Sequence, residues 1–353
     1  MAAVKPFLFE AFPVRVIFRQ GAFDAVAEEA RRLGFSRVFV IGSDRWSGRL
    51  GDVLGPMAAA LFADAAQHTP FDVTERALVE LRACAADGIL SIGGGSAIGL
   101  GKALALRTNL QQIVVPTTYS GSEMTSLVGQ TANGVKSTQR HPAIRPATVL
   151  YDPLLTASLS ARSAAASGMN AIAHGVEALY APDGNPVVRL MALEGIGSMF
   201  KALAGIVDDP LDGEARQQAF YGAWLNGMCL SSTTMGLHHK LCHTLGGMFG
   251  LPHAEMHAAV LPYSLAYNRP AIPEIMADLA RALGAGDPVQ AFATLLRRAG
   301  LPVSLAELGM PGDGIEAAAD LAMRDAYANP RPLEREALVA LLHDAHSGTF
   351  PSG

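Results

Sequence analysis

Histidines at helical spacing are the first feature of this chain that could do chemistry. Asn170 and His174 are four apart, His239 and His243 are four apart, and so are His253 and His257. Residues four apart share one helix face. Two helix faces and the turn after Leu251-Pro252 could therefore converge on a small centre. Three imidazoles, from His174, His239 and His253, would suit a transition metal with a fourth ligand or water. Asn170 fits that role poorly, because an amide is a weak ligand and brings no negative charge. Imidazoles also move protons near neutral pH. His68, His141, His238 and His257 are expected to be ordinary core or surface histidines.

Two loops could hold a second chemical group. Ile89-Leu90-Ser91-Ile92 leads into Gly93-Gly94-Gly95-Ser96, and a helix follows. Glycines let the backbone approach a phosphate, and the helix start adds amide donors and partial positive charge. The spacing differs from the Gly-x-Gly-x-x-Gly fingerprint. The second loop, Pro116 to Thr125, is dense in hydroxyls and follows another buried strand. Ends of parallel strands are where open α/β sheets bind ligands. Phosphate, ribose and carboxamide groups are the expected occupants.

The elements that must position these residues fall into two sets. Val14–Phe18, Arg37–Ile41, Ile89–Ile92, Ile113–Val115 and Val149–Tyr151 read as strands. Between them Phe23–Leu33, Thr74–Ala86 (capped by Thr74) and Ala97–Leu106 read as helices. Such alternation predicts a parallel sheet with helices on its faces. From about Leu154 onward strand-like runs vanish, and segments such as 163–180, 188–206, 214–229 and 273–283 have helical periodicity. The expected domains are therefore 1–153, an α/β dinucleotide-binding domain, and 154–353, a helical domain carrying the histidines.

Bulk properties narrow the class. The chain has 353 residues, half of them hydrophobic, with a formal charge of −5. That length favours two domains. No basic footprint points to nucleic acid. No uninterrupted apolar run of about 20 residues points to a membrane span. Three widely spaced cysteines suggest reduced thiols in the cytoplasm rather than a disulfide framework.

Taken in order, Gly93-Gly94-Gly95-Ser96, Pro116-Thr117-Thr118 with Gly121-Ser122-Glu123, Gly168-Met169-Asn170 with His174, and His239-x3-His243-x9-His253 resemble the iron-containing alcohol dehydrogenase superfamily. The resemblance covers nearly the whole chain. It implies the dehydroquinate synthase-like fold: a Rossmann-like parallel-sheet α/β domain followed by an all-α domain. In metal-dependent members an Asp stands at the position of Asn170 and joins the residues matching His174, His239 and His253 in binding iron or zinc. The residue matching His243 lies near the nicotinamide. Here Asn170 replaces that Asp, and Gly99 replaces the Asp that usually follows the glycine loop.

Both replacements, with Gly99-Leu100-Gly101-Lys102, the run from His238 to Gly247 and Asn329-Pro330-Arg331-Pro332, resemble the maleylacetate reductase branch. That implies NADH- or NADPH-dependent reduction of the carbon–carbon double bond of maleylacetate, giving 3-oxoadipate, by a cytoplasmic homodimer in aromatic-compound degradation. The implied catalytic set is His243, His253 and His239, with His174 behind them. Gly93, Gly94, Gly95, Ser96, Thr117, Thr118, Ser120, Thr125 and Lys136 would hold the cofactor. Tyr119, Asn170 and Lys240 would face the dicarboxylate enone. No metal is expected to be required, so Asn170, His174, His239 and His253 form a vestigial site. The alternative is a metal-dependent alcohol dehydrogenase of the same superfamily. Asp44 and Arg45, beyond the strand ending at Ile41, leave NADH and NADPH undecided.

Overall fold

Six short strands run parallel in one sheet, and their loops carry the first half of the expected chemistry. In this computed structural model, which describes residues 6–10, 14–132, 135–324 and 327–351, the strands are β1 (Arg15–Phe18), β2 (Val38–Ile41), β3 (Ala58–Phe62), β4 (Gly88–Gly93), β5 (Gln112–Pro116) and, after a separate hairpin of β6 (Leu127–Ala132) with β7 (Val135–Arg140), β8 (Thr148–Tyr151). Their order is β1-β8-β5-β4-β2-β3. The interior strands are buried almost throughout because both faces are covered. Val38 and Val40 join Leu90, Ile92, Ile113 and Val115 in one core. Phe39 and Ile41 point the other way, to Leu78, Ile89 and Leu104. Helices α1 (Val26–Arg32), α2 (Ser47–Leu54), α3 (Phe71–Ala83) and α4 (Gly95–Thr108) complete the unit.

Local expectations were corrected in places. The segment from Phe23 divides into a 3-10 turn, Ala22–Ala25, and α1. Thr74 does not cap α3. The helix begins at Phe71, and the Thr74 hydroxyl donates to the Pro70 carbonyl at 3.0 Å. The edge strand β3 went unread because its alanines favour helix and it lies half-exposed. The hairpin β6–β7 lacks a sustained apolar pattern in sequence, although Val128 packs with Ala103 and Ile144.

The remaining helices are α5 (Ala161–Tyr180), α6 (Pro186–Asp208), α7 (Gly213–Ser232), α8 (Leu237–Phe249), α9 (His253–Asn268), α10 (Pro273–Leu283), α11 (Pro288–Arg298), α12 (Ile315–Ala322) and α13 (Arg335–Ser347). Short polar caps start several of them. The Ser160 hydroxyl accepts from the Ser163 amide, and Asn185 Oδ1 accepts from the Val187 and Val188 amides. Every residue of α5 from Ala164 to Ala178 is buried, which marks it as the central helix, packed against α6, α7 and α9. α6 is long and apolar enough to cross a membrane by length and composition. It carries Arg189, Glu194 and Lys201, however, and buries one face against α5 and α7, as a core helix does.

Two compact units result, one running from Ala11 to Leu159 and the other from Ser160 onward with the N-terminal segment. The division thus falls at 159/160 rather than at 153/154. Asp152 accounts for the difference: its carboxylate accepts from the Gly21, Phe23 and Leu154 amides, tying the turn Pro153–Thr156 to the sheet unit.

Candidate active site

The glycine loop closes β4 and opens α4. Gly93 pairs with Pro116 of β5, and the Thr117 amide donates to the Gly93 carbonyl at 2.9 Å. The two predicted loops therefore lie side by side. They border a cavity of about 320 Å³ lined by Gly93, Gly94, Ser96, Thr117 and Thr118 on one side and by Gly42, Ser43, Arg45 and Trp46 on the other. A Cβ on Gly94 would come within 3.0 Å of the Thr118 side chain, whereas a Cβ on Gly95 would meet open space. Glycine is needed at 94 for close approach of the loops, and 95 leaves room for a ligand at the helix start. This cradle, with its hydroxyls, fits the phosphates of a dinucleotide.

Other cofactor candidates take different places. Ser120 Oγ pairs with Ser122 Oγ and does not line the cavity. Thr125 is buried and acts one step removed. Its hydroxyl accepts from Lys102 Nζ at 2.7 Å and donates to the Ser122 carbonyl. Lys102, on α4, also donates to the carbonyls of Ser122 and Leu127, so it ties the hydroxyl loop to the helix that the glycine loop begins. Burial pulls Lys102 down to about 7, opposed by nearby Glu123. Burial likewise pushes Glu123 up to about 7, opposed by its hydrogen bond from Tyr151 and by Lys102. The Lys136 side chain lies outside the described residues. Tyr119 is fully buried and donates to Thr156 Oγ1 at 2.9 Å, so it has no surface with which to meet a substrate. Gly99 is explained by crowding: a Cβ there would lie 2.5 Å from Thr69 Oγ1, leaving no room for an Asp.

The helical unit gathers the imidazoles around His239. Ring centroids of His174, His238, His257 and His243 lie 5.1, 5.3, 5.1 and 6.3 Å from it, and His253 is 4.4 Å from His257. His243 is exposed and His253 partly so, whereas His174, His238, His239 and His257 are buried. Burial, reinforced by the neighbouring imidazoles, pushes His174, His238 and His257 well below the usual histidine range. These three are neutral at neutral pH.

Their protons can be placed from the hydrogen bonds. Ser264 donates its hydroxyl to the Leu261 carbonyl, so its oxygen accepts from His238 Nδ1 at 3.2 Å. His238 Nε2 is then a lone pair and accepts from His257 Nδ1 at 3.1 Å. The outer nitrogen of His257, Nε2, is left as a buried lone pair with no partner. His239 is fixed in the same sense by Glu177, a fully buried carboxylate one turn past His174. Glu177 accepts from His239 Nδ1 at 2.5 Å and from the His238 amide at 2.8 Å. His239 Nε2, His174 Nδ1 and Asn170 Oδ1 are also buried without partners. Lys240 sits beside this group on α8, its ammonium 5.7 Å from the Tyr327 ring. The imidazoles therefore gather in one cluster, which also takes in His257, His238 and Glu177. Glu177 lies three residues past His174, so helical spacing alone pointed to it.

Asn170, His174 and His239 thus offer unpartnered acceptors, a donor set that fits a divalent metal by type. With His253, the four candidate ligands include no carboxylate; the carboxylate joined to them is Glu177, on His239 Nδ1. Among the described residues the set of three ligand-type atoms within 4.8 Å of one another is His238, Cys242 and His257. Both facing nitrogens of that set are already joined in the chain of hydrogen bonds.

Known proteins are similar to this chain from end to end. Residues 13–153 match the iron-containing alcohol dehydrogenase family and 164–346 match the C-terminal part of the Fe-containing alcohol dehydrogenase family. Maleylacetate reductase of Rhizobium sp. (strain MTP-10005) is 50% identical over 353 residues, covering 99% of this chain and 100% of that protein. Maleylacetate reductase of Burkholderia cepacia is 49% identical, covering 98% and 99%. The crystal structure of the Rhizobium enzyme superposes with a TM-score of 0.93 at 49% identity, covering 98% of this chain and 100% of that one. With both family regions matched in order, and identity to these reductases extending from end to end, the chain belongs to the iron-containing alcohol dehydrogenase family.

Proposed function

We infer that the chain is a maleylacetate reductase, an oxidoreductase that reduces the double bond of maleylacetate to give 3-oxoadipate at the expense of NADH or NADPH. The observation that carries this reading is Asn170. Its Oδ1 is buried without a partner, one helical turn before His174, in a chain half identical to maleylacetate reductases along its whole length.

A bound reduced nicotinamide supplies a hydride, which this reading sends to the carbon β to the ketone of the enone. The chain's own residues manage the charge and the proton. Negative charge spreads into the ketone as an enolate, and the α carbon needs a proton. His243 and His253 are the imidazoles with solvent access, so they can be reprotonated after each turnover. They supply the proton and the donors to the enolate oxygen. His174, His238 and His257 are held neutral by burial and are not acids at neutral pH. Glu177 fixes His239 in one tautomer. Lys240 is the cation we assign to a substrate carboxylate, and Asn170 an amide for its polar groups. The cavity beside Gly94 and Thr118 holds the dinucleotide phosphates.

A divalent metal held by Asn170, His174, His239 and His253 would polarise the ketone oxygen. We propose that turnover does not require one, because the Asn170 amide is a weak ligand and brings no negative charge. A metal-dependent alcohol dehydrogenase is the competing reading, favoured by the unpartnered acceptors. The proposal also carries a cytoplasmic homodimer whose partner is the small dicarboxylate enone, with no role for nucleic acid or membrane.

The test is NADH oxidation by the purified protein with maleylacetate and with a panel of short aldehydes, each with and without chelator. Oxidation with maleylacetate that survives chelation is the expected result. Turnover confined to aldehydes and abolished by chelation would establish the competing reading.

A further inference from the structure

Beside the imidazoles assigned to the reaction lies a group that no step of the reaction uses. Cys242 and His238 are four apart on α8, so they share one helix face, and His257 joins them from α9. None of the three is more than 1% exposed, and their ligand atoms lie within 4.8 Å of one another. We propose that these three side chains form a binding site for a thiophilic monovalent cation, Cu(I), separate from the set of Asn170, His174, His239 and His253.

The separations are those that coordination needs. His238 Nε2 lies 3.1 Å from His257 Nδ1 and 3.7 Å from Cys242 Sγ. A three-coordinate cation with bonds of about 2.0 Å to nitrogen and about 2.3 Å to sulfur needs about 3.5 Å between the nitrogens and about 3.7 Å from nitrogen to sulfur. Small shifts of two buried rings bridge the difference. The ring of His238 is also held as a ligand ring usually is. Its Nδ1 donates to Ser264 Oγ at 3.2 Å and Ser264 donates to the Leu261 carbonyl, which leaves Nε2 as a lone pair aimed into the group. The place of the cation is taken by one proton, on His257 Nδ1.

Ligand type and number select the cation. Thiolate sulfur favours soft ions such as Cu(I) and zinc over magnesium, calcium or manganese. Zinc takes four ligands in structural sites, whereas the group among the described residues holds three. The ligands themselves supply one negative charge, from the thiolate, and that matches a monovalent ion. Glu177, the carboxylate of the cluster, is committed to His239 Nδ1 and the His238 amide. Binding exchanges protons as follows. The Cys242 thiol releases its proton to solvent as the sulfur–copper bond forms. The His257 proton moves from Nδ1 to Nε2, so the outer nitrogen of that ring changes from acceptor to donor.

The test is an anaerobic titration of the purified chain with Cu(I) in competition with bicinchoninate, for the unaltered chain, Cys242→Ser, His257→Gln, His253→Gln and Cys84→Ser, each checked for folding by circular dichroism. One equivalent should bind to the unaltered chain and add a thiolate-to-copper absorption band. Cys242→Ser and His257→Gln should each weaken binding at least about a hundredfold, the upper end of what even an outer partner of a metal ligand is worth. His253→Gln, which removes an imidazole of the neighbouring set, and Cys84→Ser, which removes a more accessible thiol, should leave the affinity unchanged. The 15N shifts of His257 should show the proton on Nε2 once copper is bound.

Absence of stoichiometric binding overturns the inference. So does an affinity that follows His253 or Cys84 instead of Cys242, or an excess of zinc that displaces Cu(I). Should Cys242→Ser or His257→Gln fail to fold, X-ray absorption of the copper-loaded unaltered chain decides. One sulfur and two nitrogens around the ion support the site, and a shell without sulfur overturns it.

Discussion

Glu177→Gln puts the tautomer argument to a direct test. Glu177 is wholly buried, with one oxygen on the His238 amide at 2.8 Å and the other on His239 Nδ1 at 2.5 Å. The backbone N–H can only donate, so the single carbonyl oxygen of the glutamine must stay with it. The new NH2 group then faces His239 Nδ1, which has to become an acceptor. The proton moves to Nε2, and the nitrogen now buried as a bare lone pair becomes a donor. Volume is unchanged, so the chain should fold with a stability loss of about 1–3 kcal/mol, the cost of weakening a buried charge-assisted bond. Partners that orient functional histidines are worth about 10- to 100-fold, and a wrong tautomer in a hydrolase triad costs more. A fall in kcat of about 100-fold is expected, equivalent to about 2.7 kcal/mol in the barrier. The assay is steady-state NADH oxidation with maleylacetate, read alongside 15N chemical shifts of the imidazoles. If the shifts show the proton on Nε2 while kcat stays within about twofold, the orientation of His239 does not matter and the mechanism built on it is wrong.

His243→Ala should lower kcat about 100-fold or more, the usual worth of a general acid, with intact folding shown by circular dichroism; full turnover would remove His243 from the mechanism. Asn170→Asp adds the missing negative charge, so it should raise zinc or iron affinity at least about tenfold in chelator competition; unchanged affinity would show that charge was not limiting. Gly99→Asp should destabilise the fold by about 1–3 kcal/mol in urea unfolding, because Thr69 Oγ1 occupies the space. Adding Thr69→Gly should recover most of that loss, since Thr69 holds a positive φ of 47° that glycine adopts freely; strictly additive losses would contradict the clash. The buried Lys102 and Glu123 should make stability depend on pH. Between the ordinary carboxylate value of 4.5 and about 7, folded Glu123 keeps a proton that the unfolded chain has lost, so its contribution falls as pH rises. Between about 7 and 10.5 the unfolded chain keeps a proton that folded Lys102 has lost, so that contribution grows as pH rises. The pair therefore contributes least near neutrality. Lys102→Met with Glu123→Gln should be most stabilising, relative to the unaltered chain, at about pH 7 and less so at about pH 5 and 9 in urea unfolding. A difference independent of pH would show that the buried pair does not titrate in this way.

Several elements were legible because one local cause fixes each. The apolar runs at Val38–Ile41 and Ile113–Val115 are strands since both sheet faces are covered, and such runs need no long-range information to be read. Helix α10 begins at Pro273 and ends before Gly284, where chain chemistry supplies its own start and stop. The glycine loop was readable for the same reason. Edge strand β3 was not, because half-exposed alanines carry no strand pattern.

Within the site, residue type and spacing suggested that Asn170, His174, His239 and His253 could converge on one centre, and the family resemblance implied that its amide takes the place of a carboxylate. They could not show that Tyr119 turns inward to Thr156, that Thr125 serves Lys102 rather than a ligand, or that His257 is more than a core histidine. Those facts depend on partners far away in the chain: Thr156 for Tyr119, Lys102 for Thr125, and for His257 the bonds running back through His238 to Ser264. A sequence displays which groups a helix carries on one face. Which of their nitrogens holds the proton, and which lone pair is left over, is decided only when distant residues arrive beside them and exclude water.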